Sequence, residues 1–177
     1  MDHLMQLYAA NDDPWNHRTS KYEAAKYAAS LNALGPGPFR EALEIGCGNG
    51  TLAVRLAPRC TRLTVMECIP AAAKSARRAL ASQPQVNVIE GVAPGDLPDL
   101  RPDLVLLSEV LYFLTPNEIS VLGQWLIERT SGPVIAVNWT GSTDETLDGA
   151  EAVTLLAAVL GTPATTDHGQ YRIDRFN

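Results

Sequence analysis

The chain has 177 residues, of which 46% are hydrophobic and 19% charged. Those proportions suit one globular domain with a real core and exclude a disordered chain, a collagen or a disulfide mini-protein. Lys and Arg total 14 against 20 Asp and Glu, a formal net charge of -6, so the surface repels phosphate backbones and no nucleic-acid partner is expected.

The N-terminal stretch reads as a helical cap. Tyr22, Ala25, Tyr27, Ala28, Leu31 and Leu34 recur at helical spacing, and Gly35 can close that helix. The cluster Gly35-Pro36-Gly37-Pro38 is the one clear joint, which divides a cap over residues 1–37 from a core over residues 38–177. After it, strands are predicted over 41–45, 62–67, 86–90, 103–108 and 133–139. Helices are predicted over 51–57, 70–82, 116–129 and 149–160. Two short strands turning near Gly169 are expected in the tail, 164–176. The run Leu104-Val105-Leu106-Leu107 suits a strand buried on both faces. Strand-helix alternation of this kind predicts an α/β, doubly wound, mostly parallel seven-stranded sheet of Rossmann-like type. Ligands in such folds sit at the carboxyl ends of the strands, near the switch in strand order.

The three cysteines, Cys47, Cys60 and Cys68, form no CxxC pair, and no Cys/His cluster has metal-binding spacing. The N-terminus shows no signal peptide, and no window approaches the roughly 18 apolar residues of a membrane helix. A cytoplasmic protein, monomer or homodimer, with neither metal nor membrane partner, is therefore expected.

The strongest motif is Glu44-Ile45-Gly46-Cys47-Gly48-Asn49-Gly50. Alternate glycines after a strand let the backbone turn sharply and lie flat against a ligand. The dinucleotide fingerprint is G-x-G-x-x-G; here the third glycine comes one residue early. The loop fits instead the E/D-x-G-x-G-x-G motif of class I enzymes that use S-adenosylmethionine, with Glu44 at the acidic position. Glu67, at the end of the second strand, stands about 20 residues beyond the loop, where an acid accepts hydrogen bonds from ribose hydroxyls. Cys68 adjoins it. Gly91 and Val92 follow the third strand, where backbone groups, or Glu90, are left to meet an adenine. Ser108 and Glu109 follow the fourth strand, where cofactor and acceptor meet.

With these residues in view, the chain resembles the nodulation-protein-S (NodS-like) methyltransferases. The matching stretches are Asp12-Asp13-Pro14-Trp15, Leu43 to Cys47, Leu56-Ala57-Pro58, Arg62 to Val65, Ser108 to Leu114 and Gly149-Ala150-Glu151. The resemblance implies methyl transfer from S-adenosylmethionine, leaving S-adenosylhomocysteine, to the nitrogen of a small amine or amino sugar. It also implies an N-terminal cap over the cofactor, where Trp15 and Tyr22 fall. Departures from the family pattern lie at Ser131-Gly132-Pro133, at Glu67 in place of aspartate, and in an adenine region without aspartate. A small-molecule or sugar O-methyltransferase is the nearest rival. A nucleotide-dependent oxidoreductase and a non-catalytic cofactor-binding protein are the further alternatives.

A sulfonium methyl is already activated, so alignment with the nucleophile and exclusion of water can suffice; an amine must still arrive unprotonated. Glu109 is the first candidate for taking that proton or orienting the acceptor. Tyr112, three residues on, is a candidate aromatic wall beside the sulfonium, or a packing residue. Trp139 is read as a floor to the acceptor site or as packing. Arg18 is a candidate for the methionine carboxylate. His17 is able to take a proton but is read by default as a surface residue, and Cys47 is read as packing rather than as a nucleophile.

Overall fold

The computed structural model describes residues 2–177. Two helices come first, α1 (Asp2–Ala10) and α2 (Lys21–Leu34). The body then alternates β1 (Ala42–Ile45), α3 (Thr51–Leu56), β2 (Leu63–Glu67), α4 (Pro70–Ala79), β3 (Val86–Glu90), β4 (Leu104–Ser108), α5 (Pro116–Arg129), β5 (Val134–Trp139) and α6 (Gly149–Leu160). A hairpin of β6 (Ala164–Asp167) and β7 (Tyr171–Phe176) closes the chain.

The seven strands form one sheet in the order β3-β2-β1-β4-β5-β7-β6. The first five in that order pair in parallel, and β7 runs antiparallel to β5. The order reverses at β1, which lies between β2 and β4 with Glu44 opposite both Val65 and Leu106. This is the doubly wound, mostly parallel seven-stranded sheet expected from the sequence.

Residues two apart on a strand point to the same face, and the core divides accordingly. Ala42, Leu63, Val65, Leu104, Leu106, Ile135 and Val137 pack with α2 and α3 on one face. Leu43, Ile45, Val105, Leu107, Val134 and Ala136 pack with α5 and α6 on the other. Both faces are covered, which is why these strands read as unbroken aliphatic runs.

The expected bounds of β3, α5 and α6 coincide with those of the structure, and the other elements after the joint differ by no more than three residues at an end. α4 stops at Ala79 rather than 82, because a tight turn through Leu80 to Gln83 precedes Pro84, and a residue before proline avoids helical geometry. Helices α5 and α6 both open on complete capping boxes, Thr115 with Glu118 and Asp148 with Glu151.

Helix α2 is continuous with the core: Tyr27, Leu31 and Leu34 belong to the same cluster as Ala42 and Leu106. α1 is separate and rests on α4 through Tyr8, Ile69 and Ala72. Among the described residues no helix is long and apolar enough to cross a membrane.

Candidate active site

A cavity of about 660 Å³ opens at the carboxyl ends of β1, β2, β4 and β5, beneath α1, the 11–20 segment and the start of α2. It contains every sequence-predicted site residue except Arg18.

The glycine loop makes its floor. Gly46 has φ +83, and a Cβ there would stand 2.6 Å from the Ser108 carbonyl oxygen. Only glycine permits that left-handed turn at such close range to β4. A Cβ on Gly48, φ +54, would meet the Tyr8 hydroxyl at 3.2 Å. Asn49 is buried; its Oδ1 accepts from the Thr51 backbone N–H and hydroxyl, and its Nδ2 donates to Asp13 Oδ1 at 2.9 Å. Asp13 also accepts the backbone N–H groups of His17 and Arg18, at 2.7 and 3.1 Å. One carboxylate thus pins the 11–19 segment to the glycine loop. Cys47 is buried and burial pushes its thiol well up, in keeping with a packing role.

Two buried carboxyls flank the loop. Glu67 Oε2 accepts from the Gly48 backbone N–H at 2.8 Å, and its Oε1 from the Ile69 N–H at 2.9 Å and the Cys68 thiol at 3.6 Å. Burial raises its pKa, against the lowering effect of those backbone donors. Glu44 is fully buried, and among the described residues neither of its carboxylate oxygens has a hydrogen-bond partner. Burial first, and the charge of Glu67 second, push it up to about 8. A buried acceptor left without a donor is costly, and Glu44 lines the cavity.

At the carboxyl end of β3, Gly91 and Val92 line the cavity. Asp96 Oδ2 accepts the Val92 N–H at 2.9 Å and so shapes that turn. Glu90 points away to Arg77, at 3.3 Å.

The opposite wall is polar and crowded. Glu109 follows Ser108 with φ +53, a left-handed conformation unusual for a non-glycine residue. Its Oε1 accepts from Lys26 Nζ at 2.8 Å. Its Oε2 accepts from the Trp139 backbone N–H at 2.7 Å and the Tyr112 hydroxyl at 3.1 Å. Three donors on about four lone-pair sites leave room for one more. Tyr112 lies in a single 3-10 turn over 111–113, and burial followed by the Glu109 charge raises its pKa. Lys26 is buried and also meets Glu23 Oε1 at 3.1 Å; burial works to lower its pKa, but the two carboxylates prevail and hold it above the ordinary value. The Tyr22 ring packs edge-on to Trp139 at 6.3 Å, with Lys26 Nζ 5.3 Å from its centroid. The Tyr22 hydroxyl is buried with no hydrogen-bond partner among the described residues.

Two readings of the N-terminal segment are corrected. Arg18 is outside the cavity wall, because its guanidinium makes a bidentate pair with Asp12 at 3.1 and 3.2 Å in solvent. His17 is not a surface residue: it is half-buried in the cavity wall, with Nδ1 against Tyr27 and Glu23. Trp15 leans over the cavity, its ring 5.5 Å from Tyr8. Tyr8, Glu23 and Lys26 carry no sequence expectation, and Asp13 only its place in the Asp12-Asp13-Pro14-Trp15 stretch. The available signal was Glu23 and Lys26, charges spaced i, i+3 between the aromatic residues of an otherwise core-facing helix stripe.

The cavity wall carries five carboxyl side chains, Glu23, Glu44, Glu67, Glu109 and Glu118, against one lysine. Among the described residues no group of three or more His, Cys, Asp or Glu side chains could hold a metal ion.

The family model described as Nodulation protein S (NodS) matches residues 1–122. The chain belongs to the NodS family. Nodulation protein S of Sinorhizobium fredii is 33% identical over 114 residues, covering 63% of this chain and 52% of that protein. The Rhizobium tropici protein is 35% identical over 113 residues, covering 63% and 47%. The chain thus spans about half the length of the curated NodS relatives it matches. The solved N-methyltransferase NodS from Bradyrhizobium japonicum, in complex with S-adenosylhomocysteine, superposes with a TM-score of 0.85 at 22% identity, over 98% of this chain and 96% of that one. That likeness gives this NodS-family chain the class I methyltransferase fold.

Proposed function

We propose that the chain is an S-adenosylmethionine-dependent methyltransferase acting on the nitrogen of a small amine or amino sugar. The observation that carries this reading is Glu44, an unpaired buried carboxyl beside a glycine loop in an electronegative cavity. Such a site suits a ligand bearing an ammonium and a sulfonium, and opposes a pyrophosphate.

The residues fit that cofactor. Glu44 is placed to take its ammonium, Gly46 to Gly48 to lie against its methionine portion, and Glu67 to accept from its ribose hydroxyls. Gly91, Val92 and Cys68 border the adenine end, and Ser108 the reacting end. Bound, the cofactor supplies an activated methyl group. Trp15, Tyr8 and the 11–19 segment exclude water above it. The covering segment of this proposal is α1 with that loop, since α2 belongs to the core. Glu109 presents its last free lone pair to an acceptor N–H, and Tyr112, Tyr22 and Trp139 wall the acceptor. NodS from Bradyrhizobium japonicum is an N-methyltransferase by name, which supports nitrogen as the acceptor atom.

The experiment is methyl transfer from labelled S-adenosylmethionine to glucosamine, with glucose as the hydroxyl control. Label on the nitrogen of glucosamine alone is expected. Label on glucose, or on glucosamine oxygen, contradicts the choice of nitrogen.

A further inference from the structure

We propose that His17, oriented by Glu23 and Tyr27, is the base that takes the proton an ammonium acceptor must lose before methylation; this rests on the amine-methyltransferase reading above. His17 lies in the cavity wall, between the glycine-loop contact of Asp13 and the Glu23–Lys26–Glu109 chain at the acceptor side.

The geometry fixes which ring nitrogen is available. Nδ1 is 3.3 Å from Glu23 Oε2 and 2.7 Å from the Tyr27 hydroxyl. An ionised carboxylate only accepts hydrogen bonds, so the arrangement that satisfies both groups, and the one this proposal assigns, has Nδ1 carrying the proton and donating it. The Tyr27 hydroxyl hydrogen is then free to turn to Glu23, with which it also interacts. Nε2 is left as the basic nitrogen and has no hydrogen-bond partner among the described residues.

The charges around the ring suit the task. Glu23 and Tyr27 face it from α2 and Trp15 from its own segment, while Asp13 holds the His17 backbone N–H and Lys26 meets the other oxygen of Glu23. The His17 hydrogen bond and the Lys26 charge hold Glu23 below its ordinary range despite burial, so the carboxylate is ionised and can balance an imidazolium. Lys26, on the far side of Glu23, offsets part of that charge. Glu109 is less suited, since Lys26, Trp139 and Tyr112 already occupy it. In the step, an ammonium N–H bond breaks, its electron pair stays on nitrogen, and the proton bonds to Nε2. Solvent takes that proton after product leaves.

The test compares wild type with His17→Asn, whose amide can keep the Nδ1-like donor to Glu23 while removing Nε2. Nitrogen-15 NMR of the S-adenosylhomocysteine-bound wild type is expected to show a neutral Nδ1–H tautomer. The variant is expected to keep its affinity for S-adenosylhomocysteine within about two-fold. With glucosamine it should lose on the order of 100-fold in kcat, regained in part with added imidazole. A Nε2–H tautomer overturns the proposal, and so does undiminished turnover in the variant. So does a ten-fold loss of S-adenosylhomocysteine affinity without an effect on kcat, which would make His17 a cofactor contact. The tautomer decides the matter even where glucosamine is not methylated. Failure of wild type to bind S-adenosylhomocysteine is a separate result that removes the methyltransferase reading and this inference together.

Discussion

Glu44 ends β1 with both oxygens buried and unpaired, and its carboxyl is held up to about 8. Between its ordinary value of 4.5 and 8 the folded protein binds a proton that the unfolded chain has released. Stability from this group is therefore full below about 4.5 and lost as pH rises toward 8, and Glu67, also raised, adds in the same direction. Thermal unfolding from pH 5 to 8 checks this: Glu44→Gln should flatten the decline. An ammonium brought beside Glu44 reverses the effect of burial. S-Adenosylhomocysteine binding near pH 7 should thus release up to about one proton, read by calorimetry in buffers of different ionisation enthalpy. Glu44→Gln should abolish the release and weaken binding by roughly 1.5–3 kcal/mol, the range for a charged hydrogen bond. Binding without proton release would place the ammonium elsewhere. The acidic identity of Glu44 was legible in the glycine motif; its lack of a partner was not, because only the packed helices show what fails to reach it.

At the scale of elements, one carboxylate joins a loop to a loop. Asp13 holds the buried Asn49 side chain and two backbone N–H groups of the 11–19 segment. Asp13→Ala should free that segment and speed S-adenosylhomocysteine release, measured by stopped-flow fluorescence of Trp15; an unchanged off-rate would show that the segment does not cover the ligand. Asp148 caps α6 through the Ala150 and Glu151 N–H groups. Asp148→Ala should lower stability by about 0.5–2 kcal/mol in denaturant unfolding, with ligand affinity unchanged. The strands and helices were readable because periodicity and caps are local. The Glu23–Lys26–Glu109 chain was not, since it joins residues more than 80 positions apart, and Glu109 reaches it through a left-handed backbone that no local pattern announces.

Across the whole molecule, the sheet serves as the frame of the site. The order reversal at β1 opens the crevice, and the two core clusters hold β1 and β4 between helices. Leu106→Ala, at a fully buried position in β4, should cost about 2–5 kcal/mol, seen in urea unfolding. The alternation of strands and helices made this frame legible, down to the antiparallel tail hairpin. The extent of the cap was less so: helical spacing in α2 looks the same whether the helix covers a ligand or buries Tyr27, Leu31 and Leu34 against the sheet. The acidic cavity beneath it bears most directly on function, and calorimetric titration with S-adenosylhomocysteine, with NAD as the control, tests it. The account predicts binding of S-adenosylhomocysteine at about micromolar strength and none of NAD; no binding of S-adenosylhomocysteine, or equal binding of NAD, would contradict it.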